Sequence, residues 1–263
     1  MNKELHYQGK KIFYRNLGTG KPVFLIHGFG EDGEIWKAQA QFLKEKCQLI
    51  IPDLPGSGQS EMIDDMSIEG MAEVIFSIIQ SENIQSCTLI GHSMGGYITL
   101  AFAEKYPHLL KAIGLFHSTA FPDNEEKKAL RQKSIDFIKG HGPFGFLKTT
   151  IPNLFCENSR EQMPATIKEL INRAANFSEA AIVSYYTAMK NRPDRIDVLH
   201  KTDVPVLFVI GEFDYAIPLE ESLKQCHIPV KSYIHILHKT GHMGMLEETE
   251  KCNQVLESFL KDI

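Results

Sequence analysis

Cysteine is scarce and unpatterned in this chain of 263 residues. Cys47, Cys87, Cys156, Cys226 and Cys252 are odd in number and form no C-x-x-C pair. That spacing argues against a disulfide framework and a zinc cluster, and suits reduced packing thiols in a cytoplasmic protein. Long apolar runs are also missing. No stretch reaches the roughly 18 apolar residues of a membrane span, and the start, Met1 to Tyr7, lacks the apolar core of a secretion signal. Basic charge is in deficit, with 28 Lys and Arg against 33 Asp and Glu and a net charge of −5. Without a basic stripe, neither a nucleic acid nor a membrane is the expected partner. No G-x-G-x-x-G follows the first apolar strand and no metal-ligand spacing occurs, so no cofactor and no metal are expected. What remains is a small-molecule substrate as partner. A homodimer is compatible with all of this.

The composition itself is globular: 43% hydrophobic and 23% charged. Pro22–Ile26 is a short continuous apolar run, as expected for a parallel strand buried on both faces. Cys47–Leu54, Cys87–Ile90, Lys111–Phe116, Pro205–Ile210 and Val230–Leu237 read as further strands, and Lys10–Leu17 as an edge strand. Helical spacing marks Glu34–Lys46, the segment after an N-cap at Ser67, the stretch from Gly96 to Tyr106, Pro218–His227 and Thr249–Asp262. From about Ala120 to Leu199 this rhythm stops. Charged amphipathic segments (Asn124–Lys139, Ser159–Asn176, Ser178–Lys190) replace it, with a break at 140–145. The fold class is therefore α/β, with a mostly parallel central sheet covered by helices on both faces and a helical cap insertion. The core comprises 1–119 and 200–263, and the cap 120–199.

In such sheets ligands sit outside the carboxyl ends of the strands, and the unusual motifs all fall there. Gly91-His92-Ser93-Met94-Gly95-Gly96 is a G-x-S-x-G between an apolar strand and a helix. That context forces a tight turn and lifts the Ser93 hydroxyl clear of the sheet, above the positive end of a helix. The first strand ends at His27-Gly28-Phe29-Gly30, and the second at Asp53-Leu54-Pro55-Gly56-Ser57-Gly58-Gln59-Ser60.

In this order the three motifs resemble the α/β-hydrolase family, over essentially the whole chain, with the insertion in the place of the family's cap. The resemblance implies a serine nucleophile followed along the chain by an acid and then a histidine. Asp214, after the strand VLFVIG, and His242, in Gly241-His242-Met243 after YIHIL, fit that order. His242 is the expected base and Asp214 its orienting acid. The strand ending at Phe116-His117 offers no carboxylate before Asp123, which leaves Asp214 preferred. The oxyanion hole is expected from the backbone N–H groups of Met94 and Phe29. Gly28, His92 and His117 are expected to border the substrate. Ser93 argues against the family's epoxide hydrolases and dehalogenases, which use an aspartate nucleophile.

The insertion is rich in Phe, Tyr and Met: Phe137, Phe144, Phe155, Tyr185, Tyr186 and Met189 among them. Most should pack the cap onto the core, and a minority should line an apolar pocket over Ser93. The expected activity is that of a serine hydrolase cleaving a small to medium, largely hydrophobic carboxylic ester through an acyl-enzyme. The alternatives are a C–C bond hydrolase or lyase using the same triad, and a weakly catalytic ligand receptor on the same fold.

Overall fold

The central strands are the apolar runs of the sequence, and their burial explains their composition. A computed structural model describes residues 1–263. Its eight strands are β1 (Asn2–Tyr7), β2 (Lys10–Leu17), β3 (Pro22–Ile26), β4 (Gln48–Pro52), β5 (Cys87–His92), β6 (Leu110–Phe116), β7 (Val206–Gly211) and β8 (Ser232–Leu237). They form one sheet in the order β1-β2-β4-β3-β5-β6-β7-β8. β1 and β2 pair antiparallel, as do β2 and β4, and every other pairing is parallel. Every residue of β5 and β7 is buried, which leaves no polar alternation to read.

Lys10–Leu17 is not the edge. Asn2–Tyr7 pairs along its whole length and takes that place. The N-terminal strand alternates exposed and half-buried residues and carries little apolar signal, so nothing in its composition announces a strand. At the other end the expected strand starts late, because Val230 is 88% exposed and precedes β8.

Helices α1 (Lys37–Leu43), α2 (Ile68–Ser81) and α3 (Met94–Lys105) follow β3, β4 and β5. The predicted helix 34–46 is shorter than expected, since a 3-10 turn at Gly33–Trp36 occupies its start. α2 begins as its cap residue requires: Ser67 Oγ accepts from the Gly70 N–H at 2.9 Å. Between β6 and β7 the chain forms no strand but six helices: α4 (Glu125–His141), α5 (Pro143–Thr150), α6 (Glu157–Gln162), α7 (Pro164–Ala174), α8 (Glu179–Asn191) and α9 (Ile196–Lys201). The remaining helices are α10 (Leu219–Gln225), α11 (Gly244–Glu247) and α12 (Thr249–Asp262). Within the core domain, α2 packs on α3 and α1 on α12. No helix is long and apolar enough to cross a membrane.

The six-helix segment is fastened to the core by polar contacts. Tyr185 donates its hydroxyl to Pro55 O at 2.6 Å and receives the Ser57 hydroxyl at 2.7 Å. Arg195 donates to Glu104 at 3.1 Å. The loop after α5 receives the His242 N–H on Leu154 O at 2.7 Å, and Cys156 N–H donates to Glu247 at 2.9 Å. β3 lies between β4 and β5, where the strand order turns back on itself. The loops after β3 and β5 therefore face each other across the crevice where α/β sheets bind ligands.

Candidate active site

Ser93 stands between β5 and α3 with φ +50° and ψ −115°, a conformation that side-chain-bearing residues rarely adopt. Its surroundings hold it there. Ser93 N–H donates to Phe116 O at 3.0 Å, and Ser93 O accepts from Gly96 N–H at 2.9 Å and from Ser118 Oγ at 2.8 Å. The turn tolerates no side chain at Gly95, where a Cβ would lie 2.5 Å from Ile26 O. Gly28 is constrained from across the crevice, since a Cβ there would sit 3.0 Å from His92 Nδ1 and 3.1 Å from Ser93 Cβ.

Asp214 and His242 come together on the same rim. His242 Nδ1 lies 2.8 Å from Asp214 Oδ2. Asp214 Oδ1 accepts the Ala216 and Ile217 N–H groups, both at 2.9 Å. Burial alone would raise the Asp214 pKa, but His242 and His117 override it and hold the carboxyl well below the usual range. An ionised carboxylate only accepts, so His242 presents Nδ1–H to Asp214 and leaves Nε2 unprotonated, able to accept a proton. Burial opposes charge on His242, yet the Asp214 charge and hydrogen bond raise its pKa above the ordinary imidazole value.

A cavity of about 170 Å³ opens over Ser93 and His242. The core contributes Phe29, Glu31, Tyr97, Ala216 and Ile217, and the helical segment Arg131, Leu147, Thr150, Ile151, Leu154, Tyr186 and Met189. The structure draws no hydrogen bond from the Ser93 hydroxyl to His242, although both face this space. Such contacts often tighten only around a substrate. The Phe29 and Met94 N–H groups have no protein acceptor. A larger cavity of about 340 Å³ lies at the opposite end of the strands, among Lys21, Lys46, Lys111 and Lys261. Its thiols, Cys47 and Cys87, are pushed up to about 11 and about 12 by burial, so it holds no activated nucleophile.

The expectation that Gly28, His92 and His117 border the substrate is corrected. None of them lines the cavity. Gly28 is spent on the loop, its N–H donating to Glu31 Oε2 at 2.7 Å. The His92 and His117 rings are fully buried. His92 Nε2 lies 2.9 Å from His242 O and can only donate to a carbonyl, while its Nδ1 lies 3.0 Å from Glu31 Oε2. His117 Nδ1 reaches Asp214 Oδ2 at 3.2 Å, and its Nε2 is buried without a partner. Both rings lie too deep to meet a ligand, because His92 is the last residue of the fully buried β5 and His117 directly follows the buried end of β6. The donor atoms of His117, Asp214 and His242 lie within 4.8 Å of one another, and the hydrogen bonds to Asp214 account for that grouping.

Two charged residues of the cavity, Glu31 and Arg131, have no counterpart among the candidates drawn from the sequence. Glu31 adjoins the Gly28–Gly30 turn. Burial works to raise its pKa, but His92 and the Gly28 N–H hold it lowered, so it stays an anion. Its position directly after His27-Gly28-Phe29-Gly30 was the available signal. Arg131 sits among the charges of α4, and nothing in its spacing separates it from a solvated face. Of the aromatic and Met residues of the insertion, Tyr186 and Met189 reach the cavity; Phe155 and Tyr185 are buried elsewhere, and Phe137 and Phe144 are exposed.

A model of the alpha/beta hydrolase fold matches residues 21–249. Lipase 3 of Moraxella sp. (strain TA144) is 28% identical over 267 aligned positions, covering 95% of this chain and 81% of the lipase. The 2-hydroxy-6-oxo-2,4-heptadienoate hydrolase of Pseudomonas putida is 24% identical, covering 93% of this chain and 91% of its own. Among solved structures, a thermophilic esterase from Thermogutta terrifontis with malate bound superimposes with a TM-score of 0.93 and 29% identity. That match covers 100% of this chain and 98% of the esterase.

Proposed function

The chain belongs to the α/β-hydrolase fold family and is a hydrolase, and from that premise we propose that it cleaves a small to medium, largely apolar carboxylic ester through an acyl-enzyme on Ser93. One observation carries this reading. Ser93, at a strained strand-to-helix turn, shares a cavity with His242, whose ring is paired at 2.8 Å to a buried, ionised Asp214.

The steps follow from the donors. His242 Nε2 takes the Ser93 hydroxyl proton as Oγ attacks the ester carbonyl. The Phe29 and Met94 N–H groups are the free donors for the oxyanion that forms, and losing one such donor costs about 3–4 kcal/mol. The imidazolium, stabilised by Asp214, then protonates the leaving alkoxide. The acyl group remains on Oγ as the alcohol departs. Water, deprotonated by the same Nε2, attacks the acyl carbonyl, and the acid leaves as Oγ regains its proton. Met189, Leu147 and Ile151 supply apolar walls for the acyl or alkyl portion.

A panel of p-nitrophenyl esters from acetate upward tests this. Short and medium acyl chains should turn over in the wild type, and Ser93→Ala should not turn them over. Equal hydrolysis by Ser93→Ala would overturn the reading. Turnover of a C–C substrate but of no ester would replace it with the C–C hydrolase alternative.

A further inference from the structure

The cavity over Ser93 carries one guanidinium more than its wall needs. Asp123, 1% exposed in its side chain, lies where the helical segment begins, and it receives two arginines. Arg192 is the structural partner. It donates Nη1 to Asp123 Oδ1 at 2.8 Å and to Met189 O at 2.7 Å, and Nη2 to Phe121 O at 2.9 Å. Its guanidinium stacks 4.0 Å above the Tyr97 ring. Asp123 is therefore already matched by a fully enclosed cation.

Arg131 reaches the same carboxylate differently. Nε donates to Asp123 Oδ2, and Nη2 makes a long contact of 3.4 Å to Oδ1. A guanidinium has five N–H donors, so Nη1 and one hydrogen of Nη2 are left without a protein acceptor. The side chain keeps 19% of its surface exposed, lies against the Tyr186 ring and lines the Ser93 cavity. Two cations thus share one anion at this wall. The other charged groups on the cavity are spoken for: Glu31 by His92 and the Gly28 N–H, and His242 by Asp214. Placing a guanidinium with free donors in a mostly apolar cavity is costly unless an anion completes it. The planar fork also fits a carboxylate better than a point charge would.

We infer that Arg131 recognises a carboxylate on the substrate, so that the ester cleaved at Ser93 is a half-ester of a short dicarboxylic acid. This rests on the proposal that the cavity over Ser93 is the ester site, and it narrows the largely apolar ester proposed there to one whose carbon chain ends in a carboxylate. The apolar walls take the carbon chain, and Arg131 takes its far end. Removing Arg131 should therefore change which ester is preferred.

The test compares monomethyl glutarate with methyl pentanoate, which present a charged and a neutral acyl chain of similar length. Wild type should show kcat/KM at least about tenfold higher for the half-ester. In Arg131→Met that ratio should collapse at least about tenfold, and Arg131→Lys should retain more of it than Arg131→Met. No preference in the wild type, or equal losses on both esters in Arg131→Met, would overturn the inference and leave Arg131 a strut of the cap. A second arm needs no turnover: glutarate binding to Ser93→Ala by calorimetry, weakened at least about tenfold when Arg131→Met is added. Arg131-dependent glutarate binding in a protein that hydrolyses no ester would uphold this site while removing the hydrolase reading. Ester hydrolysis with no Arg131-dependent binding would do the reverse.

Discussion

The sheet rim and the helical segment above it contribute about equally to the cavity but are held in different ways. On the rim the backbone fixes the residues proposed to react. Ser93 is bonded through both its N–H and its carbonyl. The His242 backbone is held at both ends, its N–H on Leu154 O and its carbonyl on His92 Nε2. Two N–H groups and two imidazoles converge on the Asp214 carboxylate. Above them Arg131, Leu147, Tyr186 and Met189 reach the cavity as side chains from helices docked by ion pairs such as Arg195–Glu104 and by hydrogen bonds. A backbone-fixed group keeps its geometry whatever ligand is present, and catalysis needs that constancy. A side-chain wall can differ from one sequence to another without disturbing it. Rim substitutions should therefore cost rate on every ester, and cap substitutions should alter preference or stability.

The largest effect should come from His242→Ala, with kcat lowered on the order of 10⁶-fold if the three residues act as a unit. A folded variant that keeps wild-type turnover would break the comparison at its strongest point. Asp214→Asn should cost about 10⁴-fold by removing the partner that fixes the His242 tautomer, measured with the same esters.

The pH profile sharpens this. His242 must be neutral to act as base, and Asp214 raises its pKa. Activity should therefore rise with pH through a midpoint above the ordinary imidazole value of about 6.5. In Asp214→Asn that limb should move to lower pH. A limb that stays in place, read from kcat/KM against pH, would separate the two residues.

On the cap side the expected losses are of stability. Asp123→Asn strips the fully buried Arg192 of its charge partner and should cost about 3–5 kcal/mol, measured by denaturant unfolding. Tyr185→Phe removes two hydrogen bonds to the Pro55–Ser57 loop and should cost about 1 kcal/mol for each. A large loss of kcat in Tyr185→Phe with an unchanged unfolding midpoint would show the cap taking part in the chemistry.

The same division explains what the sequence disclosed. Strands buried on both faces are dominated by apolar residues, so the positions of β3 to β7 are legible in the sequence. The edge strand β1 has no such run and escaped notice. Ser93, Asp214 and His242 were legible as candidates because each follows a strand and sits in a local pattern. Contacts between distant residues leave no such mark. Glu31 meets His92 across 61 positions, and His117 meets Asp214 across 97. For that reason nothing in the sequence separates His92 and His117, which are buried struts, from residues that would meet a ligand. Segment boundaries in the cap failed for a local reason: Ser159–Asn176 reads as one amphipathic stretch, yet α6 ends before Pro164 and α7 begins there. Arg131 is one of several charges on α4, and its role depends on Asp123 and Arg192 meeting it in space.

The central claim is that Ser93 is a nucleophile activated by the rim. Intact-protein mass spectrometry after treatment with a fluorophosphonate tests it most directly. The account predicts one adduct per chain, mapped by proteolysis to Ser93, with none on Ser93→Ala and much slower labelling of His242→Ala. An unlabelled wild type, or an adduct that persists in Ser93→Ala, would contradict it.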